Sequence, residues 1–304
     1  MAVGDLAVIL GATASGKSEL ALELARRVGG EILSVDSMQV YRGMDIGTAK
    51  PTSAQQAAVR HHLIDVVEPN ETFTAARFVE MAEQVLADAR GRGAPIIATG
   101  GTPLYYKTLC EGMFDGPGAD EGIRERLRGQ SNDELHARLR EVDAEAAARI
   151  HLNDTRRMIR ALEVYELTGQ AISAMQREWG QSARHQAVWI GLDWPREELN
   201  RRINARVKGM IAAGWVDETR GLLQRYGELS KTAGEATGYH EIIDHLAGRT
   251  SLDEAIEQIK IATRQLARRQ MKWFRRFNQV NWMPASDHLE TKLKRALELW
   301  NRAT

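Results

Sequence analysis

The run Gly11-Ala12-Thr13-Ala14-Ser15-Gly16-Lys17-Ser18 is the stretch of this sequence whose residue types and spacing point most directly to chemistry. It has the Walker A form, two glycines bracketing a short loop that closes on Lys-Ser. Glycines let successive backbone N–H groups turn inward around a phosphate, and a following helix adds the partial positive charge of its N-terminus. Lys17 would reach the terminal phosphates, and the Ser18 hydroxyl would be a ligand of Mg²⁺. The motif specifies polyphosphate binding and leaves the reaction open.

Asp36 is the second candidate. It closes an apolar stretch, Glu31 to Val35, and ligands gather at the carboxyl ends of parallel strands. A carboxylate there can serve as a base, as a ligand to metal-bound water or as a turn former. No acid stands where Pro95 to Thr99 runs into Gly100-Gly101-Thr102, the place where an ordinary ATPase carries its second-motif aspartate. A third feature is positive charge. Arg264, Arg268, Arg269, Lys272, Arg275 and Arg276 fall in one stretch without an acid, in a chain whose 41 basic and 41 acidic residues otherwise cancel. One local basic patch on a neutral molecule suits a polyanion bound at one place, and a solvated face is the plain alternative. His61-His62 suggests a metal at first sight. Adjacent side chains on a strand point to opposite faces, so structural or hydrogen-bonding roles are expected.

These residues need elements to position them. Leu6–Leu10 predicts a strand, and Leu20, Leu24 and Val28 predict a helix after the glycine loop. Glu31–Val35, Leu63–Val67, Pro95–Thr99 and Ala187–Leu192 follow as further core segments. A helix over 74–90 should bury Phe78, Met81, Val85 and Ala89. Another should start with Thr102 as cap and Pro103 in its first turn, and stop at Gly112. Residues 116–184 show helical patterns only, with a capping box at Ser131–Glu134 and Asp154 as a second cap. Pro195 should open a helix burying Leu199, Ile203, Val207 and Met210. A further capping box, Ser251–Glu254, opens a long helix to about Phe277, with Ile259, Leu266 and Trp273 toward the core. Strands alternating with helices give an α/β fold, P-loop NTPase-like and doubly wound, with a mainly parallel sheet. The expected organisation is a core of residues 1–116 and 186–304, interrupted by a helical insertion domain at 117–185.

Composition sets the remaining bounds. Cys110 is the single cysteine, so an intrachain disulfide and a cysteine-built zinc site are excluded. No apolar run reaches membrane-spanning length, and Met1-Ala2-Val3-Gly4-Asp5 lacks a leader's basic start. A cytoplasmic protein is expected.

The block from Ser34 through Asp36, Ser37, Met38 and Gln39 to Lys50-Pro51 closely resembles the tRNA dimethylallyltransferase (tRNA isopentenyltransferase) family of bacterial type. So do the Walker A run, His61-His62-Leu63-Ile64-Asp65, Gly100-Gly101-Thr102-Pro103-Leu104-Tyr105 and Arg160-Ala161-Leu162-Glu163-Val164. The likeness continues through Arg264-Gln265-Leu266-Ala267-Arg268-Arg269-Gln270 with Trp273-Phe274, and so covers nearly the whole chain. The resemblance implies transfer of a dimethylallyl group from dimethylallyl diphosphate to N6 of adenosine-37, beside the tRNA anticodon, with Mg²⁺. It implies Asp36 as proton acceptor, and Thr102, Lys17 and Arg206 as the other catalytic residues. For tRNA it implies Asp36, Ser37, Met38, Gln39, Thr102 and Arg124. It adds Arg156, Arg157, Met158, Ile159 and Arg160, then Glu235, Ala236, Thr237, Gly238, Tyr239 and His240; Arg264 and Arg268 form a basic stripe with Arg275. Family members often carry Arg or Lys where this chain has His240. A monomer acting on the anticodon stem-loop, away from any membrane, is expected. The rivals are an adenylate isopentenyltransferase, a P-loop kinase using ATP, and an RNA-binding module gated by a nucleotide. The 116–184 insertion and the basic cluster argue against the first, and the resemblance against the other two.

Overall fold

The computed structural model describes residues 5–112, 116–177 and 184–302. Met1–Gly4, and residues 178–183 of the expected helical stretch, lie outside them. The chain divides into two compact units, one made of the residues up to Leu109 and from His185 onward, the other of Cys110–Arg184.

Among the described residues the larger unit is built on six strands: β1 (Leu6–Gly11), β2 (Glu31–Ser34), β3 (His61–His62), β4 (Ile96–Thr99), β5 (Val188–Asp193) and β6 (Asn281–Pro284). Their spatial order is β3-β2-β4-β1-β5-β6, and every pairing is parallel. A parallel strand must have both faces covered, which explains why β1 reads as an unbroken apolar run and is wholly buried. On one face, Ala7, Ile9, Ile97 and Ile190 meet α1 (Lys17–Val28) and α15 (Leu289–Asn301) through Leu20, Leu24, Leu293, Ala296 and Trp300. On the other, Trp189 of β5 lies against Tyr106 of α4 (Pro103–Glu111), and Tyr106 meets Phe274 of α14 (Leu252–Phe274) edge-on at 6.0 Å. Helices on both faces make the sheet doubly wound. Each fully buried large side chain contributes about 1.5–3 kcal/mol.

Two expectations shift. The third strand is His61–His62, not the residues after it, because Leu63 and Asp65 take left-handed backbone with φ of 60° and 55°. The two imidazoles do bond apart. His61 Nδ1 donates to the Val59 carbonyl at 2.7 Å, whereas His62 Nε2 donates to the Glu31 carboxylate at 2.7 Å. Arg92 and His62 together hold Glu31 down to a pKa of about 2, Arg92 contributing most. In α3 (Ala75–Gly91) the buried stripe is Phe78, Val79, Ala82, Leu86 and Ala89. It is rotated from the one expected, leaving Met81 and Val85 at its margin.

Around the sheet lie α2 (Ser53–Ala58), α10 (Arg196–Ala212), α11 (Trp215–Tyr226), α12 (Lys231–Gly234) and α13 (Tyr239–Leu246), with α14 packed on α10 and α13. Ile203 and Val207 are the buried residues of α10. The core-facing side of α14 is Ile259, Ala267, Gln270 and Phe274, so Leu266 and Trp273 are only half-buried.

The smaller unit consists, among the described residues, of α5 (Glu121–Arg128), α6 (Asn132–Val142), α7 (Ala144–Arg149), α8 (Thr155–Thr168) and α9 (Ile172–Arg177). Ser131 and Glu134 form the expected capping box, and Asp154 caps α8 by accepting the Arg157 N–H. Leu127, Leu135, Leu139, Met158 and Leu162 make its separate core.

Candidate active site

The glycine loop joins β1 to α1 and is held from three sides. At Gly11 a Cβ would crowd the Ser15 side chain, 2.5 Å from its Oγ, and Gly16 has φ of 90°, a conformation that favours glycine. From α10, Arg202 donates to the Ala14 carbonyl at 2.9 Å and stacks on Trp194, whose indole N–H donates to the Ser15 carbonyl at 3.0 Å. From α14, Gln270 Oε1 accepts the Thr13 N–H at 2.9 Å. The Ser15 hydroxyl is buried without a partner, a polar group left for a ligand to satisfy.

Lys17 and Arg206 bring cationic charge to the loop. Burial chiefly, and then the neighbouring Arg206, lower the Lys17 pKa to about 8, against the opposing pull of Asp36. Arg206 is likewise pushed down by burial; Asp36 raises it and Arg202 lowers it. Arg206, which the resemblance names as catalytic, sits half-buried on the wall of the same cavity as Lys17.

Across the same cavity, Asp36 is anchored at both oxygens. Oδ1 accepts the Met38 N–H at 2.9 Å and Oδ2 accepts the Gly101 N–H at 3.1 Å. The first bond is the turn that sequence allowed, and the second ties the carboxylate to the end of β4. Thr102 Oγ1 accepts the Ser37 N–H at 2.9 Å and donates to Ser37 Oγ at 3.1 Å, so its hydroxyl serves the Asp36 loop. Gly100 must be glycine here, because a Cβ would lie 2.1 Å from the Val35 carbonyl.

The cavity has a volume of about 210 Å³ and is lined by Thr13, Lys17, Ser18, Asp36, Thr102, Arg206 and Gln270. Ser37, Met38, Gln39, Gly47, Glu235, Ala236 and Thr237 also line it, and Ile32, Leu266 and Pro51 supply apolar wall. His61 reaches it too, a position that no sequence pattern marked. Glu218 and Lys50 both fix the loop ahead of Pro51. Glu218 accepts the N–H groups of Asp45, Ile46 and Gly47 and the Tyr239 hydroxyl. The ammonium of Lys50 is spent on Asp45, Asp65 and the Tyr41 carbonyl.

Several residues expected to face a polyanion are turned elsewhere. Gln39 donates to the Thr48 and Ala49 carbonyls and accepts from Ser34. Gly238 packs on Trp215 and Tyr239 is buried, while His240 is exposed, 3.6 Å from Asp244. In the helical unit Met158 and Ile159 belong to the core, whereas Arg156 and Arg157 face solvent. Arg124 and Arg160 both donate to Glu163, a carboxylate with no solvent exposure. On α14, Arg264 donates to Asn204 and Arg268 is exposed, while Arg275, just past the helix, pairs with Asp193. Gln270 and Trp194 are the functional supports that sequence patterns did not single out.

Comparison with known proteins gives one answer. The IPP transferase family matches residues 39–277. A tRNA dimethylallyltransferase of Geobacter metallireducens is 50% identical over 283 residues, covering 91% of this chain and 92% of that protein. The full-length tRNA isopentenylpyrophosphate transferase of Bacillus halodurans superposes with a TM-score of 0.74 at 36% identity, covering 99% of this chain and 98% of its own. A eukaryotic dimethylallyltransferase acting on tRNA superposes with a TM-score of 0.85 at 27% identity, over 96% of this chain and 77% of its own. A Walker A loop and an anchored carboxylate lining one cavity, and a likeness running the length of the chain, lead to one conclusion: this chain belongs to the IPP transferase family.

Proposed function

We propose that this chain transfers the dimethylallyl group of dimethylallyl diphosphate to the exocyclic N6 of an adenosine in tRNA, releasing diphosphate. The acceptor is adenosine-37 of the anticodon stem-loop, and the chain acts in the cytoplasm as a monomer. The observation that carries this is one cavity lined by Lys17 and Arg206 together with Asp36. No helix among the described residues is long and apolar enough to cross a membrane.

In the reaction the bond from allyl C1 to the diphosphate oxygen breaks and the bond from N6 to C1 forms. An adenine amine is a poor nucleophile, so Asp36 accepts the proton that N6 loses. The hydrogen bonds of Thr102 leave a lone pair on its hydroxyl for the second N6 hydrogen. Negative charge gathers on the departing diphosphate, where the loop N–H groups, Lys17 and Arg206 neutralise it. Adenine must leave the anticodon-loop stack to enter the cavity. In the helical unit the solvent-facing Arg156 and Arg157, and in the larger unit His240 and Arg268, are the expected side chains with room to meet tRNA, whereas Arg124 and Arg160 are held to Glu163.

A Mg²⁺ ion fits this site as a companion of the substrate. It would be held by the Ser18 hydroxyl, which is exposed on the cavity, together with diphosphate oxygens and water. Among the described residues no cluster of three His, Cys, Asp or Glu side chains forms a protein-only cage. Bound there, it would neutralise diphosphate charge.

The test is a parallel assay of labelled dimethylallyl diphosphate and γ-labelled ATP on tRNA and on free AMP. Prenylated tRNA is expected, with no phosphate transfer, and Lys17→Ala should abolish the product. Label leaving ATP, or AMP preferred over tRNA, would sink the assignment. In the same assay Asp36→Asn should reduce turnover on the order of 10²- to 10⁴-fold, read beside its melting curve because the amide nitrogen gives up one of the two N–H bonds that anchor the carboxylate. Unchanged turnover would remove Asp36 from the mechanism.

A further inference from the structure

The donor and the acceptor are gripped by different loops: the diphosphate by residues after β1, the amine by a carboxylate after β2. Displacement at allyl C1 needs the reacting atoms about 3–3.5 Å apart and aligned, so the spacing between those loops is part of the chemistry. One side chain spans them. Gln270, 5% exposed, comes from α14, which bears Arg264 and Arg268 on other faces. Its Oε1 accepts the Thr13 N–H at 2.9 Å and its Nε2 donates to the Gly101 carbonyl at 2.7 Å. The Gly101 N–H in turn donates to Asp36 Oδ2 at 3.1 Å. A chain of hydrogen bonds therefore runs from the phosphate loop through Gln270 and the Gly101 backbone to the carboxylate. Gly101 makes room for it, because a Cβ there would lie 2.7 Å from Gln270 Nε2 and 3.1 Å from Asp36 Oδ2.

We propose that Gln270 is a positioning residue that sets the separation between the diphosphate loop and Asp36. The inference rests on the prenyl-transfer function above. The chemistry of the position is narrow. It needs an acceptor for an N–H at one end and a donor to a carbonyl at the other, which a primary amide supplies without bringing charge into the cavity. Asparagine falls one methylene short. An ionised glutamate has the right shape but no donor, and sets a carboxylate against a carbonyl. A protonated glutamate has both functions and restores the strut.

That last property supplies the test. Gln270→Met and Gln270→Glu are assayed for tRNA prenylation between pH 5 and 8.5 beside wild type, with diphosphate binding and thermal melting measured on each. Gln270→Met keeps length and loses both bonds, so kcat should fall on the order of 10²-fold while diphosphate affinity changes by less than about threefold. Gln270→Glu should be comparably slow at pH 8.5, and its rate relative to wild type at the same pH should climb about tenfold or more on acidification. A space-filling role predicts a ratio that does not move with pH, and a misfolded variant would not recover on acidification. A flat ratio, or wild-type kcat in Gln270→Met, overturns the proposal while prenyl transfer by the wild type stands. Absence of transfer by the wild type would overturn the function itself, and this inference with it.

Discussion

The protonation of Lys17 is pulled in opposite directions. In the proposed reaction it must be charged to attract a diphosphate, yet burial and Arg206 bring its pKa to about 8 in the free protein. Because the folded value is depressed, the ammonium is lost as pH rises through about 8. A bound diphosphate returns negative charge beside it and favours the protonated form. Hence kcat/KM for dimethylallyl diphosphate, which reports the free enzyme, should decline above pH about 8, while the corresponding limb of kcat moves to higher pH. Steady-state profiles of both constants decide this; limbs that coincide would show that Lys17 does not meet the diphosphate. At this scale the sequence was legible where function lies in consecutive residues, as in the eight-residue loop. It was opaque where a partner arrives from far away. Gln270 stands 257 positions from Thr13, and Trp194 stands 179 from Ser15, so no local spacing announces either contact.

Within α8, one carboxylate organises the helical unit. Burial alone would raise the Glu163 pKa, but Arg124, Arg160 and the Asp120 N–H more than offset this and hold it below the usual carboxylate range. A depressed folded pKa means the contribution is present above the unfolded value, near pH 4.5, and disappears as pH falls through the folded one. Both guanidinium groups keep 30% of their side-chain surface in water, which softens the loss of a partner. Glu163→Gln should therefore destabilise the protein by about 2–4 kcal/mol, toward the lower end for a broken buried pair. The deficit should shrink in acid, and urea melts at pH 7 and pH 4 measure it. Regular elements were the most legible part of the fold, since caps at Ser131, Asp154 and Ser251 and the apolar run of β1 act locally. The segment after Phe277 carried no expectation. β6, Asn281-Trp282-Met283-Pro284, buries only Met283 and offers no alternation to recognise, as suits the outermost strand of the sheet. The stripe of α3 was misjudged by one position because its neighbours, not its own composition, choose which apolar residues turn inward.

The whole molecule is electrically neutral, with 41 basic and 41 acidic residues, so attraction to tRNA has to come from where charge lies and how it is engaged. Arg275 is tied to Asp193, which leaves Arg264 and Arg268 as the members of the expected stripe on the helix itself. Replacing both with glutamine should reduce the salt dependence of tRNA binding by about 0.7–0.9 in logarithmic slope for each phosphate contact removed. Diphosphate binding should stay as it was. A slope unchanged from wild type would make the stripe a solvated face. The basic cluster was visible in sequence; which of its members were already engaged was not, because Asp193 and Asn204 reach it from β5 and α10.

The packing of α1 beneath α15 has a consequence for how the protein is made. Leu20 and Leu24 behind the phosphate loop are covered in part by Leu293, Ala296 and Trp300. Synthesis runs from the N-terminus, so α1 emerges more than two hundred residues before the helix that seals it. While the ribosome is still at work, the apolar back of α1 waits for a cover, and the glycine loop that precedes it gains its full support only once α15 has been made.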